Sequence, residues 1–152
     1  MANFKFNPIT GKLDLVGDAS IDTTNFVTKF NSAETDTNLS IGDVVYMKSN
    51  GHIDKAIATG ALTHKVVGLS AENKLATTSC KFINDADLTM ADWTSVIGST
   101  NLTPNAIYFL SHLVAGQLTT TPTTTTGEFI VEVGVALSVT TLAIEIKRSI
   151  LL

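Results

Sequence analysis

The chain has 152 residues, a hydrophobic fraction of 44%, a charged fraction of 16% and a formal net charge of −4. This length fits one ordinary domain or two small packed units, and the hydrophobic fraction excludes a chain that is disordered throughout. The charged fraction lies below the roughly 25% typical of soluble globular chains. We therefore expect a partner to cover part of the surface; a core-rich monomer with a threonine-coated surface is the alternative.

Charge and cysteine content exclude further classes. No run of Lys or Arg occurs, so the basic footprint of a nucleic-acid-binding protein is missing. The single cysteine, Cys80, rules out a disulfide within the chain and the paired-cysteine spacings of zinc sites. No stretch approaches the roughly 18 consecutive apolar residues of a membrane span. Residues 1–5 lack the pattern of a signal peptide, so we expect synthesis in a cytoplasm.

The first region, residues 1–36, is predicted to be an extended N-terminal arm. Phe4 and Phe6 alternate with polar residues, and Leu13 and Leu15 flank Asp14. A turn at 8–11 between them predicts a short β-hairpin or two extended pieces. Such a hairpin is marginal alone in water, so it packs on its own domain or adds to the sheet edge of a neighbour. The candidate partner-binding residues are Phe4, Phe6, Pro8, Ile9, Leu13 and Leu15.

Two later regions, 37–84 and 100–152, are predicted to be rich in strands, because β-branched and aromatic residues fill short runs bounded by turn residues. Gly68 and Gly134 interrupt strand patterns, which indicates a bulge or a sharp bend. The threonine-rich stretch 119–126 predicts an exposed, extended connection.

The two strand-rich regions resemble each other in an ordered series of matches. Residues 39–48 match 102–111, and 66–70 match 133–138. We therefore predict one β-rich domain, residues 37–152, made of two similar halves (37–84 and 100–152). The connector 85–99 has room for one short helical turn, and Trp93 is expected in a core or an interface. The predicted fold class is all-β, barrel-like or sandwich-like, with at most that short helix.

No residue pattern points to catalysis, a metal or a cofactor. The three histidines are far apart in the sequence and are expected at the surface or in turns; an axial metal site with one histidine from each subunit of a trimer is a minor alternative. They are His52, His64 and His112. Asp85, Asp87 and Asp92 lack the Gly and the final Glu of a calcium loop, which favours solvation or helix capping. We expect no enzyme activity, with a β-rich hydrolase as a distant alternative.

Three parts of the chain resemble virion proteins of tailed phages. Residues 6–17, Phe6-Asn7-Pro8-Ile9-Thr10-Gly11-Lys12-Leu13-Asp14-Leu15-Val16-Gly17, resemble the N-terminal motif of many phage head-fibre, tail-fibre and virion structural proteins. Residues 102–111, 119–122 and 133–138 are also similar to such proteins. The pattern from 42–46 through 66–69 is similar to the small trimeric head-decoration (cement) proteins.

The resemblance implies a homotrimeric, non-catalytic protein on the outer surface of a capsid or an appendage. Its partner would be the major capsid protein or another virion protein, with no nucleic acid and no membrane. The leading hypothesis is a capsid decoration protein that bridges capsid subunits and stabilises the virion. The alternative is a head-fibre or tail-fibre module that binds a host surface. Residues 18–21 stand where many relatives have a Gly-rich linker, which favours a domain held close to its anchor.

Overall fold

The computed structural model describes residues 3–7, 12–16 and 30–152. Short strands dominate this part of the chain, and one helical turn lies in the connector. The strands are β1 (Asn3–Asn7), β2 (Lys12–Val16), β3 (Asn31–Glu34), β4 (Val44–Met47), β5 (Ile53–Lys55), β6 (Val66–Ser70), β7 (Ser79–Ile83), β8 (Asp87–Thr89), β9 (Ile107–Leu110), β10 (Leu118–Thr119), β11 (Phe129–Ile130), β12 (Glu132–Ala136), β13 (Thr141–Ile144) and β14 (Ile150–Leu151). The helical turn is α1 (Thr94–Ile97).

Two antiparallel five-stranded sheets form the body of the molecule. The strand order is β3-β7-β6-β4-β5 in the first sheet and β8-β13-β12-β9-β10 in the second. They pack as a sandwich-like fold, and in the described residues neither sheet closes into a barrel. The predicted all-β class with one short helix is confirmed, and of the two predicted shapes the sandwich is correct. Strand β3, which falls within the range predicted as the arm, forms the edge of the first sheet beside β7.

The two sheets share one topology, strand for strand. Gly42 and Asn105 stand at matching positions before β4 and β9, and both have positive φ angles, +87° and +63°. Gly tolerates this conformation freely and Asn tolerates it better than most residues. The N–H of Gly42 donates to the carbonyl of Ser70, and the N–H of Asn105 donates to the carbonyl of Ala136, each over 2.8 Å. The sequence matches therefore correspond to equivalent positions in two similar units.

A second shared feature is a glycine at an irregular point of each sheet. The pairing register shifts between β4 and β6, opposite Gly68, and between β9 and β12, at Gly134. This confirms the predicted irregularity. A Cβ atom on Gly68 would lie 2.5 Å from the carbonyl oxygen of Ile83, and one on Gly134 would lie 2.2 Å from that of Ala143. Glycine is required because the neighbouring backbone occupies that space.

The main core lies between the two units and takes residues from both. Val44 and Leu69 of the first sheet and Leu142 of the second belong to this one core, as does Trp93 of the connector, which is fully buried. The indole N–H of Trp93 donates to the carbonyl of Thr140 over 3.0 Å. A smaller cluster occupies the opposite face of the first sheet; its buried members are Leu39, Val45, Ile53, Cys80 and Phe82.

A partly buried ion pair lies at the joint between the units. The Asp43 carboxylate is buried, accepts the N–H of Ser40 over 2.8 Å and contacts the Nζ of Lys55 at 2.9 Å. Gly116 of the second unit lies over both side chains, since a Cβ there would come within 3.3 Å of each. The pair neutralises the one buried carboxylate of the joint, which would otherwise be costly to desolvate.

We predict that Gly134→Ala destabilises the fold by about 1–3 kcal/mol, because β12 and β13 must move apart to admit the methyl group. Chemical denaturation monitored by Trp93 fluorescence measures the loss. Gly51→Asn is the control, since open space surrounds that turn glycine and Asn tolerates its positive φ. Equal stability of the Gly134→Ala variant and the unchanged chain would contradict the close approach of the two strands.

We predict that Asp43→Ala lowers the free energy of unfolding by about 2–4 kcal/mol, because it leaves Lys55 and the N–H of Ser40 without their acceptor. The matched control is Glu145→Ala, which removes the exposed pair with Lys147 and is expected to cost much less, because solvent screens an exposed pair. Urea denaturation of the two variants gives the comparison. Losses of similar size would show that the Asp43 pair contributes no more than a surface pair.

Candidate interaction surfaces

The N-terminal strands β1 and β2 pair as an antiparallel ribbon, as the hairpin prediction required. Phe4 lies opposite Leu15, and Phe6 lies opposite Leu13. Directly opposite residues of an antiparallel pair share a face, and so do residues two apart in one strand. The register therefore places these four candidate residues on one face of the ribbon and Lys5, the partner of Asp14, on the other. The remaining two candidates, Pro8 and Ile9, lie outside the described residues.

A second apolar surface, which the sequence analysis missed, lies around a small ladder at one end of the body. The N–H of Ala58 donates to the carbonyl of Ser111, and the N–H of Phe129 donates to the carbonyl of Ala58. Phe129 pairs in turn with Leu151 of β14. Exposed apolar residues lie on both sides of this ladder, and we call them the apolar end. They are Leu113, Val114, Ile150, Leu151 and Leu152.

The exposure of the apolar end is high for such side chains. Leu113 is 77% exposed, and Ile150 and Leu151 are 61% and 62% exposed. Single exposed apolar residues are normal on proteins, but exposed apolar neighbours, as at 113–114 and 150–152, are typical of an interaction site. The sequence signals were an apolar pair in a turn, 113–114, and the run 150–152; neither has the alternation that marks one face of a strand.

A polar cluster lies at the hairpin of β4 and β5. The Asp36 carboxylate accepts hydrogen bonds from the Nζ of Lys48 and from the Nδ1 of His52, the latter over 2.6 Å. These bonds lower the pKa of Asp36, with the Lys48 bond as the larger cause. Thr37 donates its hydroxyl to Asp54 over 2.8 Å. An aspartate orients an imidazole here, but no Ser or Cys side chain contacts that imidazole among the described contacts, so the cluster lacks the nucleophile of a hydrolytic triad.

His64 lies in a turn, as predicted, and is buried there. Its ring stacks on Phe129 with centroids 3.6 Å apart. Its Nδ1 lies 2.8 Å from the carbonyl of Gly60 and must therefore carry the proton. In the described part of the chain no group of three His, Cys, Asp or Glu residues is placed to hold a metal ion.

The other residues named in the sequence analysis take part in local structure or in the core. Asp92 accepts the N–H of Thr94, the first residue of α1, over 2.8 Å, but the N-cap position itself is Trp93, so Asp92 lies one residue before the cap. Cys80 is fully buried, as predicted, and burial raises the pKa of its thiol. The stretch 119–126 is only partly exposed, because Thr123 is buried and donates its hydroxyl to Glu128. None of the helices in the described ranges has the length and apolar character needed to cross a membrane.

Comparison with known proteins leaves the family open. No protein-family model matches the chain, and no curated protein matches its sequence.

We predict that the contribution of Asp36 to the stability of the fold is present at neutral pH and lost in acid. Its folded-state pKa is lowered from an ordinary value of 3.8, so the contribution is present above the unfolded-state pKa and is lost as the pH falls through the folded-state pKa. The melting temperatures of the unchanged chain and Asp36→Asn should therefore differ at neutral pH and converge in acid. Lys48→Met serves as the second variant and should raise the Asp36 pKa in an NMR titration. A difference in melting temperature that persists unchanged into acid would refute the linkage.

Proposed function

We propose that the chain is a non-catalytic decoration (cement) protein of a phage capsid, which binds the outer surface of the virion and stabilises it by bridging capsid subunits. The observation that supports this most is the number of large apolar side chains left exposed, as at the apolar end, on a chain with few charges. Such surfaces are typical of proteins that work within an assembly. The resemblance of residues 6–17 to phage virion proteins suggests which assembly.

The arm is the proposed anchor to the shell. Its four apolar positions, Phe4, Phe6, Leu13 and Leu15, fall on one face of the β1–β2 ribbon. A two-stranded ribbon gains stability from a surface to lie on. Burial of each Phe or Leu is worth about 1.5–3 kcal/mol, so four together can hold a subunit even after the cost of ordering the arm. Pro8 and Ile9 are proposed to contact the same partner.

The charge distribution is consistent with a place outside the shell. The chain has a net charge of −4 and no run of Lys or Arg, so packaged nucleic acid would repel it rather than attract it. The proposed partner is the major capsid protein or a neighbouring virion protein. A homotrimer, which the resemblance implies, would let one molecule contact several capsid subunits at once and gain affinity through multivalency.

We predict that Phe4→Ser/Phe6→Ser weakens binding to capsids of the phage that encodes the chain by at least about 100-fold, because two buried aromatic contacts are lost. The matched control is Lys5→Ser/Asn7→Ser, which changes the other face of the same strand and should bind within about threefold of the unchanged chain. Sedimentation of capsids with labelled protein measures occupancy. Undiminished occupancy of the Phe variant would rule out the arm as the anchor.

The decoration function itself has a separate test. Capsids that lack the protein should rupture at a lower temperature than decorated capsids, and added protein should restore the difference. A head-fibre or tail-fibre module would behave differently: capsid stability would be unchanged, and soluble protein would block adsorption of the phage to its host.

A further inference from the structure

Among the described residues, no strand pairs with the outer edge of β14. The N–H of Phe129 donates to Ala58, on the side of β11 away from β14, while the N–H of Leu152 donates back to the carbonyl of Glu128 over 3.0 Å. Phe129 and Leu151 are therefore a pair without mutual hydrogen bonds. It follows that the N–H and C=O of Leu151 face away from β11. No described strand lies on that side, because β11 and β14 form a sheet of two strands.

The surface beside this edge is apolar. On this side of the ladder Ile150 is 61% exposed, Leu151 62% and Leu152 38%. A standard interface buries about 800 Å² per partner, of which roughly 60% is apolar. These three side chains supply part of that apolar area, and the outward backbone groups of β14 add directional hydrogen bonds.

We propose that a second copy of the chain occupies this edge, with the two β14 strands antiparallel across a twofold axis. Such an edge is self-complementary, because each copy supplies the donor and acceptor that the other lacks. With Ile150 opposite Ile150 of the second copy, Arg148 of one copy approaches the end of the strand where Glu128 of the other lies. Opposite charges then meet at both rims of the contact. This pairing is independent of capsid binding through the arm.

The test is the mass of the free protein in solution, measured by light scattering during size-exclusion chromatography at about 100 μM. Leu151→Lys places a charge in the proposed contact and should reduce the mass of the assembly by half. Leu75→Lys, a change at a side chain that is 70% exposed elsewhere on the first unit, should leave the mass unchanged. Leu151→Pro removes only the outward N–H of β14, keeps the pairing with β11 and should also halve the mass.

A disulfide test fixes the geometry. An Ile150→Cys variant should form a covalent pair of chains on mild oxidation, because directly opposite residues of a pair without hydrogen bonds have Cβ atoms near the roughly 4 Å that a disulfide needs. Leu75→Cys should remain single, and Cys80 is buried and does not compete. The proposal would be overturned if the unchanged chain and Leu151→Lys had the same mass. It would also be overturned if both cysteine variants cross-linked to the same extent.

Discussion

The fold depends on residues 56–58, which leave β5 of the first unit and enter the second. The N–H of Ala56 donates to the carbonyl of Val44, whose own N–H donates to Gly116; Gly116 donates back to Ala56, and Ala58 donates to Ser111. Both alanines are fully buried, and buried backbone groups must be paired. Each unit therefore satisfies polar groups of the other. Small side chains at 56 and 58 allow the backbones to come this close, so the two sheets share one core.

This joint gives equivalent strands of the two units different environments. Val44 of β4 is fully buried against the second unit, whereas Ile107, its counterpart in β9, is 42% exposed. The buried carboxylate of Asp43 pairs with the partly exposed Lys55, whereas the counterpart of Asp43 in the second unit is the apolar residue Ala106. The same strand order thus forms an inner unit, whose sheet is covered on both faces, and an outer unit, whose sheet has one open face. The asymmetry means that the second unit and its C-terminal ladder carry much of the surface available to partners.

Local patterns in the sequence predicted the strands and turns well. The features that they did not predict depend on contacts between distant parts of the chain. Glycines 68 and 134 marked the irregular points because only a missing Cβ fits beside a neighbouring carbonyl. The hairpin of the arm followed from its alternation. Burial of His64 did not, because stacking on Phe129 depends on the ladder that aligns distant segments. The apolar end was missed for the same reason: its residues lie in a turn and a short edge strand, where no periodicity distinguishes exposed from buried positions.

The two apolar surfaces have different physical characters, and this bears on their roles. The ribbon of β1 and β2 presents four apolar positions on one face and has only two strands, so it gains stability from a surface to lie on. The apolar end is fixed by backbone hydrogen bonds to the joint itself. A contact made there is ordered before binding and therefore costs little conformational entropy. Rigid geometry favours a symmetric contact with a fixed partner, such as an identical chain, whereas a two-stranded ribbon favours a partner that supplies the apolar surface it lacks.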